Sequence, residues 1–195
     1  AHTDLKYEPM SGGRQMGAHF LTRNINEKGE WLNLMKQKNH SSDVSPTGSQ
    51  MPRLVGLAYA SKIYRKLNIK KSNYFTNDGN EIAWGTIGNA STSEGMFYEA
   101  INAAGVLQIP MITSIWDDEY GISVSNELQT TKSSISEVLS GFERTTDKKG
   151  FEILSVNGWD YPSLVKTYSK AEKLARINHI PVIIHVKELT QPLGH

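Results

Sequence analysis

The sequence contains no cysteine, so disulfides and thiolate metal sites are excluded from its 195 residues. An excess of one charge is missing too, with 21 Lys and Arg against 20 Asp and Glu. That balance supplies neither the basic field of a nucleic-acid binder nor a polybasic membrane anchor. No apolar run approaches the ~20 residues that a membrane span needs. The opening A-H-T-D-L-K-Y lacks the basic-then-apolar layout of a signal peptide. Neither G-x-x-x-x-G-K-[ST] nor G-x-G-x-x-G occurs, so the two common nucleotide-binding loops are absent. An initiator methionine is lacking, and Q-P-L-G-H ends the chain without a closing element, which leads us to expect a fragment of a longer protein. Asn39-His40-Ser41 and Asn89-Ala90-Ser91 fit the glycosylation sequon but read as chance matches without a secretory signal.

What is present suits a single α/β domain over residues 1–195, with 38% hydrophobic and 21% charged residues. Residues 1–49 are rich in Gly, Ser and Asn and read as mostly loop. Leu54, Leu57, Ala58 and Leu67 predict a helix over Gln50–Leu67, with Pro52 tolerated in its first turn. Strands are expected at Glu81–Ile87, Pro110–Ile115, Phe151–Val156 and Val182–Val186. Helices are expected from the Phe97–Leu107 periodicity, at Ser133–Phe142, and around Leu164–Ala175. Ser91-x-x-Glu94 has the form of a capping box. Strands alternating with helices imply a parallel sheet, where ligands bind beyond the carboxyl ends of the strands. If the first two strands are neighbours, Gly88 and Asp117-Asp118 converge on one crevice, and His195 follows the last strand toward the same edge.

G-N-A-S-T-S-E-G, Gly88 to Gly95, is a strand-to-helix turn with small residues at Gly88, Ala90 and Gly95. Such a turn offers free backbone N–H groups and the positive end of a helix dipole to an anion such as a diphosphate. An ordinary βα turn has the same composition. About thirty residues later comes W-D-D-E-Y-G-I-S, either a solvated acidic turn or a source of hard oxygen ligands. Magnesium is commonly held by one or two carboxylates together with substrate phosphates and water. Asn89, Asp118 and the Tyr120 carbonyl could provide the protein oxygens.

Together these stretches resemble the thiamine-diphosphate motif, which begins G-D-G and ends N-N. Their form is similar to the alpha subunit of the decarboxylating component of 2-oxo acid dehydrogenase complexes, branched-chain type, where the segments read roughly G-D-G-A-T-S-E-G and N-N-x-Y-A-I-S-V. S-G-G-R-Q-M (Ser11–Met16), with His19 just beyond, S-P-T-G-S-Q-M-P (Ser45–Pro52) and the terminal Gly194-His195 match further family segments in order. The resemblance implies a thiamine-diphosphate-binding fold with a parallel sheet flanked by helices. It implies cofactor contacts at Ser45, Thr47, Gly88, Asn89, Ala90, Ser91, Asp118, Tyr120 and Ile122. It puts Mg2+ on Asn89, Asp118 and the Tyr120 main-chain oxygen, and K+ at Val44, Pro46, Ser49 and Gln50 as in some members. His195 falls where the family has a histidine near the reaction centre, a residue type whose pKa suits proton transfer near neutrality.

The implied reaction is oxidative decarboxylation of a 2-oxo acid, with 2-oxoisovalerate first and pyruvate second, and acyl transfer to a lipoyl domain. Implied partners are a beta subunit or fused beta region, which carries the activating glutamate, and a lipoyl-bearing acyltransferase, within an oligomer. The compartment would be cytoplasmic in a bacterium and the mitochondrial matrix in a eukaryote. The isolated chain is expected to be inactive. A transketolase-like transferase and a degenerate, non-catalytic assembly module are the competing readings. The chain departs from the family pattern by carrying Asn at 89 and Asp at 118, a reciprocal exchange that keeps ligand count and charge, and by Ala90 in place of glycine. Among other residues, Arg14 either contacts the site or braces a loop. His40 reads as an exposed surface residue, His185 as a satisfied strand histidine, and Trp84 and Trp116 as packing residues. Lys70-Lys71 and Lys148-Lys149 read as solvated turns.

Overall fold

Strands that are apolar on both faces need a cover on each side, and the chain provides it with helices. The protein is seen here as a computed structural model that describes residue 5 and residues 21–41, 44–67 and 74–190. The S-G-G-R-Q-M segment, His19, Lys70-Lys71 and Gly194-His195 lie outside the described residues. The long elements are α1 (Gln50–Leu67), β1 (Ala83–Gly88), α2 (Gly95–Leu107), β2 (Met111–Trp116), β5 (Glu152–Asn157), α5 (Tyr161–Asn178) and β6 (Val182–Lys187). Between β2 and β5 run a two-residue hairpin, β3 (Tyr120–Gly121) with β4 (Val124–Ser125), and the short helices α3 (Asn126–Gln129) and α4 (Ile135–Val138). The main sheet has the order β1-β2-β6-β5, and every pairing in it is parallel.

Alternation along the central strands sorts the core into two halves. Ile115, Met111 and Ile183 pack with Met51, Leu54 and Ala58 of α1 and with Phe97, Ile101 and Ala104 of α2. Ile112, Val182, Ile184 and Val156 pack with Ala171 and Ala175 of α5. The parallel sheet flanked by helices that the sequence predicts is therefore present, and β1 and β2 are neighbours. Strand boundaries fall at most two residues from those expected, because pairing to a neighbour rather than hydrophobicity sets where a strand stops.

The helix expected at Ser133–Phe142 is broken. Lys132 (φ 64°) and Ser133 (φ 53°) take left-handed conformations, α4 covers Ile135–Val138, and Leu139–Phe142 tightens into a 3-10 turn. The T-T-K-S-S run favours local hydroxyl–backbone turns over helix. Ile135 and Leu139, four apart, still reach the core. Among the described residues no helix is long and apolar enough to cross a membrane.

A candidate cofactor site at the C-terminal edge of the sheet

Register brings the two motifs together. Gly88 pairs with Trp116 at the ends of β1 and β2, and the Asn89 amide donates to the Trp116 carbonyl at 3.1 Å. Both chains therefore leave the sheet side by side. Asn89 is buried, 3% exposed, and its Nδ2 donates to the Tyr120 carbonyl at 3.0 Å. The Tyr120 amide in turn donates to Asp118 Oδ1 at 3.2 Å. The three residues expected to share a metal are thus linked by two hydrogen bonds. Among the described residues, Asn89 Oδ1 and Asp118 Oδ2 accept none.

The hairpin closes over the turn. A β-carbon at Gly121 would lie 2.6 Å from the Ala90 methyl, so this glycine admits the turn at close range. The methyl of Ala90 is accommodated by the side chain that Gly121 lacks. Ile122, at the hairpin tip, is exposed with φ +57°, which is costly for a β-branched residue. Glu119 is also left-handed, at φ +70°. Thr92 Oγ1 donates to the Asn89 carbonyl at 2.6 Å and pins the turn. The Ser91–Glu94 capping box does not form. Residues Ala90–Ser93 make a 3-10 turn, α2 starts at Gly95, and Glu94 is its N-cap without a side-chain bond. The extra turn uses Ser91 as a backbone acceptor for Glu94 N–H (3.2 Å), which moves the helix start past it. Ser91 Oγ sits 3.9 Å from where a Gly88 β-carbon would be.

Ser45 and Thr47 are exposed on the turn preceding α1. That turn reaches the site through Gly48 (φ +77°), whose added β-carbon would meet Glu94 Cβ at 3.2 Å and Met96 Cγ at 3.4 Å. Gln50 ties the same segment to β1 by donating to the Thr86 carbonyl at 3.1 Å. His195 lies outside the described residues, but the chain following β6 passes the site, where Leu189 N–H donates to the Asp117 carbonyl at 3.1 Å.

Beneath these residues lies a buried network that the sequence does not reveal. Asn126, the first residue of α3, accepts from Asn89 Nδ2 (2.9 Å) and donates to Asp117 Oδ1 (3.0 Å). Asp117 Oδ1 also accepts the Glu119 amide at 2.8 Å. Its Oδ2 faces His185 Nε2 at 2.8 Å, and His185 Nδ1 meets Ser136 Oγ at 3.1 Å. Burial alone would raise the Asp117 carboxyl. The His185 hydrogen bond, the Glu119 amide, the His185 charge and the Asn126 amide outweigh it and hold the group below its ordinary value. His185 is therefore a satisfied strand histidine, as expected, but one that braces the site. Asn126 follows an N-cap serine and has no motif around it, so nothing in the sequence points to it.

Other side chains fall as follows. His40 is half-buried rather than exposed, because residues of the 34–41 segment wall a cavity together with β1. It lines a cavity of about 980 Å3 with Trp84, Tyr64 and Arg176; Asn89, Asp118 and Tyr120 are not in its walls. Trp84 stacks on Tyr168 with ring centroids 5.4 Å apart, and Trp116 Nε1 donates to Ser114 Oγ at 3.0 Å.

The donor set fits magnesium of the phosphate-sharing kind. It offers one carboxylate, one amide oxygen and one peptide oxygen, all hard, leaving coordination positions for phosphate and water. Among the described residues no cluster of three or more His, Asp or Glu could hold a metal by itself.

The chain is similar to 2-oxoisovalerate dehydrogenase subunit alpha of Bacillus subtilis, 28% identical over 177 residues, 91% of this chain and 44% of that protein. It is also similar to pyruvate dehydrogenase E1 component subunit alpha of Rickettsia bellii, 27% identical over 140 residues, 72% of this chain and 37% of that protein. The chain thus spans less than half the length of these relatives. Among solved structures, a transketolase variant from Pichia stipitis superposes with a TM-score of 0.56 at 22% identity, covering 72% of this chain and 19% of its own. Transketolase from Campylobacter jejuni gives 0.54 at 22% identity, covering 73% and 20%. At that identity the likeness carries the fold, the thiamine-diphosphate-binding arrangement of a parallel sheet between helices. The sequence model of the Dehydrogenase E1 component family matches residues 9–188, and the chain belongs to that family.

Proposed function

We propose that this chain forms the diphosphate- and metal-binding side of a thiamine-diphosphate site for oxidative decarboxylation of a 2-oxo acid. The observation that carries the reading is the hydrogen-bonded meeting of Asn89, Tyr120 and Asp118 at one sheet edge. Thiamine diphosphate, the cofactor the family implies, supplies the electron sink that lets CO2 leave. Asn89 Oδ1, the second carboxylate oxygen of Asp118 and the Tyr120 carbonyl would hold Mg2+. The turn Gly88–Ser91 would meet the diphosphate with its main chain. Ser45, Thr47 and Ile122 would flank it, and His195 would handle a proton at the reacting carbon. A K+ ion at the Val44–Gln50 turn is part of the same proposal.

Branched-chain 2-oxo acids are the proposed substrate. The 2-oxoisovalerate dehydrogenase relatives match over 91–96% of the chain, and the pyruvate dehydrogenase relatives over 72%. The acyl group would pass to a lipoyl arm, with a beta subunit or fused beta region completing the site in an oligomer. In a bacterium the site of action would be the cytoplasm, in a eukaryote the mitochondrial matrix. The test is reductive acylation of a lipoyl domain by the full-length protein with its beta part, comparing 2-oxoisovalerate with pyruvate. A higher kcat/KM with 2-oxoisovalerate is expected; preference for pyruvate overturns the substrate. Asp118→Asn is expected to weaken Mg2+-dependent thiamine-diphosphate binding at least tenfold, and unchanged affinity sinks the metal assignment. Absence of any thermal shift with both ligands would favour the assembly-module reading that Asn89 raises.

A further inference from the structure

We propose that Asn126 and Asp117 are positioning residues that lock the amide of Asn89 in one orientation, nitrogen inward and oxygen outward. A carboxylate carries no hydrogen when ionised, and three donors face Asp117: His185 Nε2, the Glu119 amide and Asn126 Nδ2. Asn126 must therefore turn its nitrogen to Asp117 and its oxygen to Asn89. Asn89 then meets two acceptors at once, Asn126 Oδ1 at 2.9 Å and the Tyr120 carbonyl at 3.0 Å. Only an NH2 group, with two hydrogens on one atom, satisfies both. Asn89 Oδ1 is left on the other side, accepting no hydrogen bond among the described residues. The negative charge sits one amide away, at Asp117, and sets the polarity of a neutral group at 89.

This arrangement makes Asn89 irreplaceable by its isostere. A carboxylate at this position has no donor, so the buried Asn126 oxygen and the part-buried Tyr120 carbonyl would face its oxygens at about 3 Å. Reversing Asn126 cannot relieve this while Asp117 is a carboxylate. Moving the charge can. In Asn89→Asp/Asp117→Asn, the amide at 117 donates to a reversed Asn126, whose nitrogen then donates to the new carboxylate. Net charge is unchanged, the Tyr120 carbonyl stays unpaired and the Glu119 amide loses its acceptor, so recovery is partial.

The experiment is a double-mutant cycle on the full-length protein by thermal unfolding without ligand. Asn89→Asp is expected to lower Tm by roughly 5–15 °C. Asp117→Asn alone is expected to cost less than half of that, because His185 can present a bare Nε2 to the amide and donate from Nδ1 to Ser136. The double variant is expected to melt above the Asn89→Asp single. A tolerated Asn89→Asp, or a double variant no better than the single, including failure of both to fold, overturns the lock. Folding of the double where the single fails supports it. What the lock does for cofactor binding rests on the function proposed above, and a separate arm reads that. Thiamine diphosphate with Mg2+ is titrated into the wild type, and absence of binding there refutes the cofactor reading while leaving the ligand-free cycle to decide the lock.

Discussion

Gly121→Ala probes the closest contact between the two motifs. The new methyl would lie 2.6 Å from the Ala90 methyl, whereas ordinary contact is 3.4–4 Å. Relief needs a shift of about 1 Å in either the 88–95 turn or the hairpin. The Gln129 amide, at 2.6–2.7 Å, can swing away, but in doing so it gives up its hydrogen bond to the Val124 carbonyl. Ala90 has no such freedom, because its methyl moves only with the backbone that Thr92 pins through the Asn89 carbonyl. Overpacking of this kind costs about 1–3 kcal/mol, and a domain of 150–250 residues loses about 2–4 °C per kcal/mol. Differential scanning calorimetry of the full-length protein should therefore show a Tm fall of roughly 2–12 °C. If the turn is the part that yields, thiamine-diphosphate affinity measured by calorimetric titration should drop about tenfold, equivalent to 1.4 kcal/mol. Ala90→Gly removes the opposing methyl, so Ala90→Gly/Gly121→Ala should regain most of both losses. Equal losses in the single and double variants would refute the claim that the hairpin and the turn meet at these two residues.

Phe97 is fully buried between α2 and the sheet, and Phe97→Ala should cost about 3–5 kcal/mol in urea unfolding; a cost under about 1 kcal/mol would contradict this packing. His179 should make stability fall with acid. Burial lowers its pKa below 6.5, Arg65 and Lys62 add to the shift, and the Gly79 carbonyl and Glu81 oppose it. The unfolded chain therefore takes up the proton first, and stability decreases as pH falls below about 6.5 toward the folded value. His179→Asn, which tolerates the left-handed backbone at φ 54°, should flatten that slope, and an unchanged slope would remove His179 as its source. Asp160 caps α5 through Ser163, whose hydroxyl and amide hold its carboxyl below the ordinary value. Its contribution should be present at neutral pH and vanish as pH falls through the folded pKa, so Asp160→Ala should destabilise at pH 7 and much less once the pH is below that folded pKa. A loss that does not change with pH would contradict the capping account.

The alternation of strands and helices could be read because each element carries its own period. Leu54 and Ala58 mark the buried face of α1, although Leu57 and Leu67 of the same spacing are exposed, and V-I-I-H-V reads as a covered strand. The meeting of the two motifs was legible as well, since parallel strands end on one side and both motifs lie at the ends of neighbouring strands. Local details resisted. The capping box at Ser91–Glu94 had the right letters but lost to a 3-10 turn held by Thr92, and the T-T-K-S-S run broke a helix that the spacing of Ile135 and Leu139 promised. Each of those choices turns on hydrogen bonds of about 1 kcal/mol, within reach of tertiary competition.

By itself the sequence determined the layers of the sheet, the family, and the two turns that meet at its edge, because hydrophobic period and motif spacing are written along the chain. The tertiary structure decided what Asn89 means. Residues 89, 117, 126, 136 and 185 come from separate segments of the chain, and their hydrogen bonds are set by proximity across the sheet edge rather than by spacing. Once Asp117 is known to accept and never donate, the direction of every amide between it and Tyr120 follows, and no single stretch of sequence contains that constraint.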